Sequence, residues 1–163
     1  MIWDVVVPTP LGPFGIALDA AGRVLRAAFL PPGARPAQAA AAPAAARAAA
    51  RAVAAYFEDP HDPGLAAVPL AAPASPFQAR LRALLRALPP GRTVTYAEAA
   101  RRLASAPRAV GAALRANPVP LFVPCHRVVA AGGLGGYAGA GPRLRRVKAA
   151  LLAHEGVSVP EGA

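Results

Sequence analysis

The sequence predicts a mixed α/β chain of the α+β kind: a small β-meander with a helix, followed by a mainly helical second half. Three observations lead there. Strand-forming runs alternate with turn signals through the first 30 residues, capped amphipathic helices begin only after residue 73, and no internal repeat links the halves. A chain of 163 residues can bury the core of one ordinary domain or two small ones, and we place two, over 1–73 and 74–163.

The segments "IWDVVV", "FGIALD" and "VLRAAFL" are separated by "PTPLGP" and "AAGR", which predicts a meander of about three strands. The stretch from Pro31 to Arg51 is biased to Pro, Ala and Arg and is expected as a flexible surface loop. Overlapping its end, "ARAAARAVAAYFEDP" resembles a short helix that stops before Pro60, and "HDPGLAAVPLAAPA" is a connector with one short extended piece.

In "SPFQARLRALLRALPPG", Ser75 caps a helix, Pro76 takes its first position and Gln78 completes a capping box. Phe77, Leu81, Leu84, Leu85 and Leu88 form its apolar face, and Pro89-Pro90-Gly91 stops it. Thr95 and Glu98 form a second box for a helix over roughly 96–104. Ser105-Ala106-Pro107 turns the chain into another helix that ends at Asn117-Pro118, with Asn117 in the left-handed terminal position. Two short helices joined by a tight turn make a helix-turn-helix pattern, which many folds share and which does not by itself mean DNA binding. "VPLFVPCHRVV" reads as extended and buried, "AAGGLGGYAGAGP" as a Gly-rich loop, and "RLRRVKAALLAHEG" as a basic amphipathic helix closed by Gly156.

Composition narrows the function classes. One cysteine excludes an intramolecular disulfide and a multi-cysteine zinc site and fits a reducing cytosol. The start, "MIWDVVVPTPLG", lacks a basic leader, and Arg, Pro or Gly interrupts every Ala-rich run before membrane-spanning length, so a soluble, cytoplasmic protein is expected. Lys and Arg number 18 against 8 acidic residues, for a net charge of +10. That excess suits a polyanion such as nucleic acid, or it reflects an Arg- and Ala-rich composition whose charge solvates the surface.

A buried cysteine is most often a small core hydrophobe. Cys125 differs in its company: His126 follows it, and an Asn, a Tyr and a Glu stand at element ends elsewhere. A thiol attacks as thiolate and needs a base or a positive field beside it. Adjacency alone does not supply one, because successive strand residues point to opposite faces.

"NPVPLFVPCHRVV", preceded by "RAVGAALRA" and followed by "GGYAG" and "LLAHEG", resembles the O6-alkylguanine-DNA alkyltransferase family, the methylated-DNA–protein-cysteine methyltransferases. The likeness runs from about Phe77 to Gly156, and "TPLGPFGIAL" is similar to the first hairpin of that family's smaller domain. It implies a ribonuclease H-like N-terminal domain and a winged-helix-like helix-turn-helix in the C-terminal one. It also implies a single-turnover transfer of an alkyl group from O6 of guanine in DNA, less readily from O4 of thymine, to Cys125.

By the same resemblance His126 is the base, acting through water, and Glu155 orients it. Tyr96 donates to N3 of the purine, the backbone N–H of Ala138 beside Tyr137 binds O6, and Asn117 ties the helix-turn-helix to the active-site strand. The carbonyls of Cys125 and Val128 accept from the guanine amino group. Arg108 fills the gap left by a flipped base, and Ala109, Gly111 and Ala112 let the helix approach the minor groove of double-stranded DNA. The resemblance implies a monomer, no membrane and no cofactor. The cysteines with which some relatives bind zinc are absent here, so no metal is expected. The link "GAGPRLRRVKAALL" is longer than is usual in the family. Two other readings stand beside this one: a non-catalytic sensor of alkylguanine, although relatives of that kind carry tryptophan in place of the cysteine, and a cysteine hydrolase unrelated to DNA.

Overall fold

The computed structural model describes residues 2–36, 42–136 and 141–159. The chain divides into two compact units, Met1–Ala72 and Pro73–Ala163.

In the first unit β1 (Val5–Val7), β2 (Phe14–Leu18) and β3 (Val24–Phe29) form an antiparallel sheet in that order, the predicted meander. Thr9 closes the first turn by donating its hydroxyl to the Gly12 carbonyl and accepting from the Leu11 N–H. Asp19 closes the second by accepting from the N–H groups of Ala21 and Arg23. Phe14 and Phe29 pack edge to face at 4.8 Å, and burying each ring contributes about 1.5–3 kcal/mol.

The last eight residues of the segment expected as a flexible loop, 44–51, are helix. The helix α1 spans Ala44–Glu58 and buries Ala46, Ala49, Val53 and Tyr56 at helical spacing. Alanine has the highest intrinsic helix propensity, and packing one face on β1 and β2 supplies what propensity alone does not. The connector holds one helical turn, α2 (Gly64–Ala67), and its extended piece is Leu70, which bridges Val24.

The second unit begins with α3 (Pro76–Arg86), whose cap is as read: Ser75 Oγ accepts from the Gln78 N–H at 3.1 Å. The Gln78 side chain does not turn back to make the capping box. Its Nε2 donates to the Ala113 carbonyl at 2.9 Å, a longer-range partner that the local pattern hides. Likewise Thr95 caps α4 (Tyr96–Arg102) while the Glu98 carboxylate pairs with Arg102 one turn on.

The tight turn into α5 (Pro107–Arg115) puts Ala104 at φ +50°, a conformation glycine adopts more easily, and a Ser105 N–H to Ala100 carbonyl bond closes α4 behind it. β4 (Val94–Thr95) pairs in parallel with β5 (Val128–Val129). The helix α6 (Pro142–His154) ends at Gly156, φ +85°, where the Val157 N–H reaches the Leu152 carbonyl at 2.8 Å and Val157 packs near Leu152. Much of the link that looked long is thus the first turns of α6, and this termination turns Glu155 inward, 6% exposed. Among the described residues no helix is long and apolar enough to cross a membrane.

Candidate active site

Two features of the predicted extended run are corrected by the structure. Asn117 is not left-handed. Its side chain is used instead, with Nδ2 donating to the Val123 carbonyl at 3.1 Å and Oδ1 accepting from the Val119 N–H at 3.2 Å. The left-handed residue is Leu121, at φ +74° and only 3% exposed, in a loop closed by the Val123 N–H on the Val119 carbonyl. A bulky residue in that region costs about 1–3 kcal/mol and persists because its surroundings over-determine it.

The cysteine is likewise not in a strand. Cys125–Arg127 form a 3₁₀ turn, and the extended ladder resumes only at β5. Pro124 has no N–H to give a ladder, and the Arg127 N–H closes the turn on its carbonyl. The turn removes the strand alternation that would have sent Cys125 and His126 to opposite faces.

His126 is fully buried, with Nε2 lying 2.8 Å from Glu155 Oε2. Among the described residues its Nδ1 is a buried side-chain nitrogen with no hydrogen-bond partner. Arg127 holds the same carboxylate from the other side, Nε on Oε1 and Nη2 on Oε2, both at 2.9 Å. The Gly91 N–H stands 3.4 Å from Oε1.

Sequence reasoning missed Lys148. It is 1% exposed, and its Nζ donates to the carbonyls of Val128 and Gly136 at 2.7 Å each while lying over the Tyr96 ring. The available signal was compositional: it is the only lysine in a chain whose other cations are all arginine. A compact ammonium can occupy a buried site and shift its pKa where a guanidinium would not.

The electrostatics follow from burial. It pushes the Cys125 thiol up, opposed by the Asn117 side chain and then by the Lys148 ammonium. It pushes His126 down, with Glu155 opposing and Arg127 and Lys148 adding to the effect, so the imidazole is neutral at neutral pH. Lys148 is lowered to about 8, chiefly by burial. Burial also raises the Tyr96 hydroxyl, which therefore stays a donor; it reaches the Gly136 carbonyl at 3.4 Å. Gly135 is required there: at φ +74°, a Cβ would lie 2.9 Å from the Tyr96 ring and hydroxyl.

The Cys125 thiol thus interacts with the Asn117 side chain, the Lys148 ammonium and Tyr96, while His126, next to it in the chain, is held by Glu155, which Arg127 holds in turn. The Val128 carbonyl already accepts from Lys148 and the Cys125 carbonyl from the Val128 N–H, which leaves each one further lone pair. Arg108, Ala109 and Ala112 lie apart on the exposed side of α5, opposite Val110, Ala113 and Leu114, with Gly111 partly covered. Tyr137 and Ala138 lie outside the described residues. Among those described, no three His, Cys, Asp or Glu side chains cluster as a metal site would need. A buried thiol with an ammonium, a donor amide and a neutral imidazole nearby can be deprotonated and attack an electrophilic carbon.

Fold and site together define a mixed α/β protein whose one cysteine is buried and is followed in the chain by a buried histidine paired with a glutamate. Residues 76–157 match the family of the 6-O-methylguanine DNA methyltransferase, DNA binding domain. The chain is 44% identical over 86 residues to a methylated-DNA–protein-cysteine methyltransferase of Saccharolobus islandicus, covering 53% of this chain and 54% of that protein. It is 60% identical over 47 residues to one of Methanocaldococcus jannaschii, covering 29% and 28%. The chain thus spans about half the length of the first of these curated relatives.

Among solved structures it is similar to the Mycobacterium tuberculosis OGT in complex with DNA, with TM-score 0.72, 29% identity and coverage of 93% and 92%. The O6-methylguanine-DNA methyltransferase of Pyrococcus kodakaraensis gives a TM-score of 0.73, 27% identity and coverage of 93% and 98%. This chain belongs to the 6-O-methylguanine DNA methyltransferase family.

Proposed function

We propose that the protein is a DNA-repair alkyltransferase that moves a methyl or larger alkyl group from O6 of guanine in double-stranded DNA onto Cys125, once per molecule, in the cytoplasm and as a monomer. The observation that carries this reading is the fully buried His126, fixed at Nε2 by Glu155 and unpartnered at Nδ1, next to the chain's only thiol. His126 Nδ1 takes the thiol proton through a water molecule, and the Lys148 ammonium and the Asn117 amide stabilise the thiolate. The sulfur attacks the alkyl carbon in line, so an S–C bond forms as the C–O6 bond breaks. The electron pair passes to the guanine ring, which Tyr96 steadies by donating to N3 and the Ala138 N–H by binding O6, and the released proton ends on the ring. The thioether product has no leaving group for water to displace, so the protein is spent.

In this reading residues 74–163 form the DNA-binding and acceptor domain, with α4 and α5 as a winged-helix-like helix-turn-helix, and 1–73 form a ribonuclease H-like domain. The small residues Ala109, Gly111 and Ala112 let α5 lie in the minor groove. The carbonyls of Cys125 and Val128 have lone pairs left for the guanine amino group, and Tyr137 is assigned to substrate and DNA binding. Net charge of +10 supplies the attraction to phosphate.

Incubation with a duplex carrying O6-methylguanine, followed by intact mass, tests the proposal. One methyl equivalent per protein, absent in Cys125→Ser, supports it. Unmodified protein bound to the lesion would establish the sensor instead, and neither adduct nor binding would overturn both.

Arg108 has a separate test. Extruding a base costs a few kcal/mol, which Arg108 offsets by occupying the vacated stack. Arg108→Ala is expected to slow repair of duplex DNA at least about tenfold while leaving reaction with free O6-benzylguanine within about twofold. Equal losses on both substrates exclude the stacking role.

A further inference from the structure

In the run Cys125-His126-Arg127, the arginine has no part in the transfer proposed above, yet its guanidinium is built into the site. Its two parallel bonds of 2.9 Å engage both oxygens of Glu155, and Nη1 donates to the Leu88 carbonyl at 2.7 Å. The carboxylate is fully buried, and its Oε2 also faces His126 Nε2 at 2.8 Å.

Three protonation states are open to such a buried pair. With a carboxylate and a neutral imidazole, the ring hydrogen sits on Nε2 and Nδ1 has a free lone pair. With a carboxylic acid donating to Nε2, the ring hydrogen moves to Nδ1. With an imidazolium, both nitrogens carry hydrogen. Only the first leaves Nδ1 able to accept a proton. Burial of an isolated carboxylate favours the second and a lone buried Glu–His contact favours the third. A guanidinium on both oxygens disfavours each of these, because its N–H groups need lone pairs and its charge opposes a further proton.

We propose that Arg127 is a positioning residue that fixes the tautomer of His126: by holding Glu155 as a carboxylate it keeps the ring hydrogen on Nε2 and leaves Nδ1 open to receive the thiol proton. The function of that open nitrogen rests on the alkyl-transfer reading; the tautomer does not. Charged groups that face the pair are Arg127 from the 3₁₀ turn and Lys148 from α6. Tyr96 of α4 faces Cys125, and Leu88 and Gly91 beyond α3 contribute backbone groups alone. The two cations, Arg127 and Lys148, both work against a proton on His126.

The test is ¹⁵N NMR of the full chain labelled at histidine, with the His126 signals assigned by their loss in His126→Gln. The wild type is expected to show a protonated Nε2 and an unprotonated Nδ1 at pH 7. In Arg127→Met the ring hydrogen is expected on Nδ1, and the pair should take up a proton about 1–3 pH units higher, the range for loss of a neighbouring charge. Arg127→Lys, which keeps the charge and gives up the second parallel bond, should shift it less. The acid limb of the transfer rate should move upward with the NMR midpoint. A wild type with hydrogen on Nδ1 at pH 7 overturns the proposal without any variant. So does a folded Arg127→Met with unchanged tautomer and midpoint, even if its rate has fallen. Failure of the alkyl-transfer reading shows differently, as a wild-type protein that gains no methyl on Cys125 whatever its tautomer.

Discussion

Glu155→Ala is expected to destabilise the second unit by about 3–5 kcal/mol, a large part of what a domain of this size has to lose. The carboxylate is fully buried and serves the Arg127 guanidinium with two bonds, His126 Nε2 with one and the Gly91 N–H at 3.4 Å. Removing it leaves a guanidinium only 9% exposed that keeps the Leu88 carbonyl on Nη1, and a buried imidazole with both nitrogens unmet. An ordinary helix-end glutamate would move stability by less than about 0.5 kcal/mol. The double variant Glu155→Ala/Arg127→Met is expected to lose less than Glu155→Ala alone, because removing both members of a buried pair avoids the orphaned charge. The chain's only tryptophan, Trp3, lies in the first unit and does not report on this change. Urea unfolding should therefore be followed by hydrogen exchange of the α6 amides. A loss under about 1 kcal/mol for the single variant would mean that the carboxylate is not the keystone its burial implies.

The parts of this arrangement that could be read from sequence are those fixed by local chemistry. Ser75 and Thr95 each accept from the N–H three residues on, and Gly156 takes the left-handed position that ends α6, because caps depend on neighbours in the chain. The meander was legible because Phe14, Ile16 and Phe29 recur at strand spacing between turns that Thr9 and Asp19 close.

What failed was set by distant partners. Gln78 looked like half of a capping box until Ala113, 35 residues on, claimed its amide. Cys125 sat in an apolar run that fits a strand and a buried turn equally well. Lys148 was one basic residue on a basic helix, and only packing against the Val128 and Gly136 carbonyls sets it apart from Arg145 and Arg146, which stay exposed. Arg127 and Glu155 are 28 residues apart, and nothing in either local pattern names the other.

Lys148→Met is expected to slow alkyl transfer about 10- to 100-fold at pH 7, and the deficit should shrink as pH rises past 8. Methionine keeps the length and volume of the lysine stem and deletes the ammonium, so the change is electrostatic more than steric. In the folded protein burial lowers Lys148 to about 8, so below that pH the side chain carries its charge and favours the Cys125 thiolate; above it the wild type loses the same charge by titration. The two proteins must therefore converge on the alkaline side. A loss of about 1.4–2.7 kcal/mol in thiolate stabilisation corresponds to the expected factor.

Stability should respond in the same pH window with a definite sign. Because the unfolded lysine keeps its proton to about 10.5, the unfolded state binds more protons between pH 8 and 10.5, and Lys148 makes the native state relatively more stable as pH climbs through that range. Burial raises the Cys125 thiol and contributes with the opposite sign above its ordinary value of 9, so the lysine's share is the difference between wild type and Lys148→Met, both carried in the Cys125→Ser background. Single-turnover rates across pH 6–9.5 decide the catalytic claim. A ratio of wild-type to variant rate that stays flat through pH 8 would show that Lys148 acts by holding the Val128 and Gly136 carbonyls in place, and that its charge does not reach the sulfur.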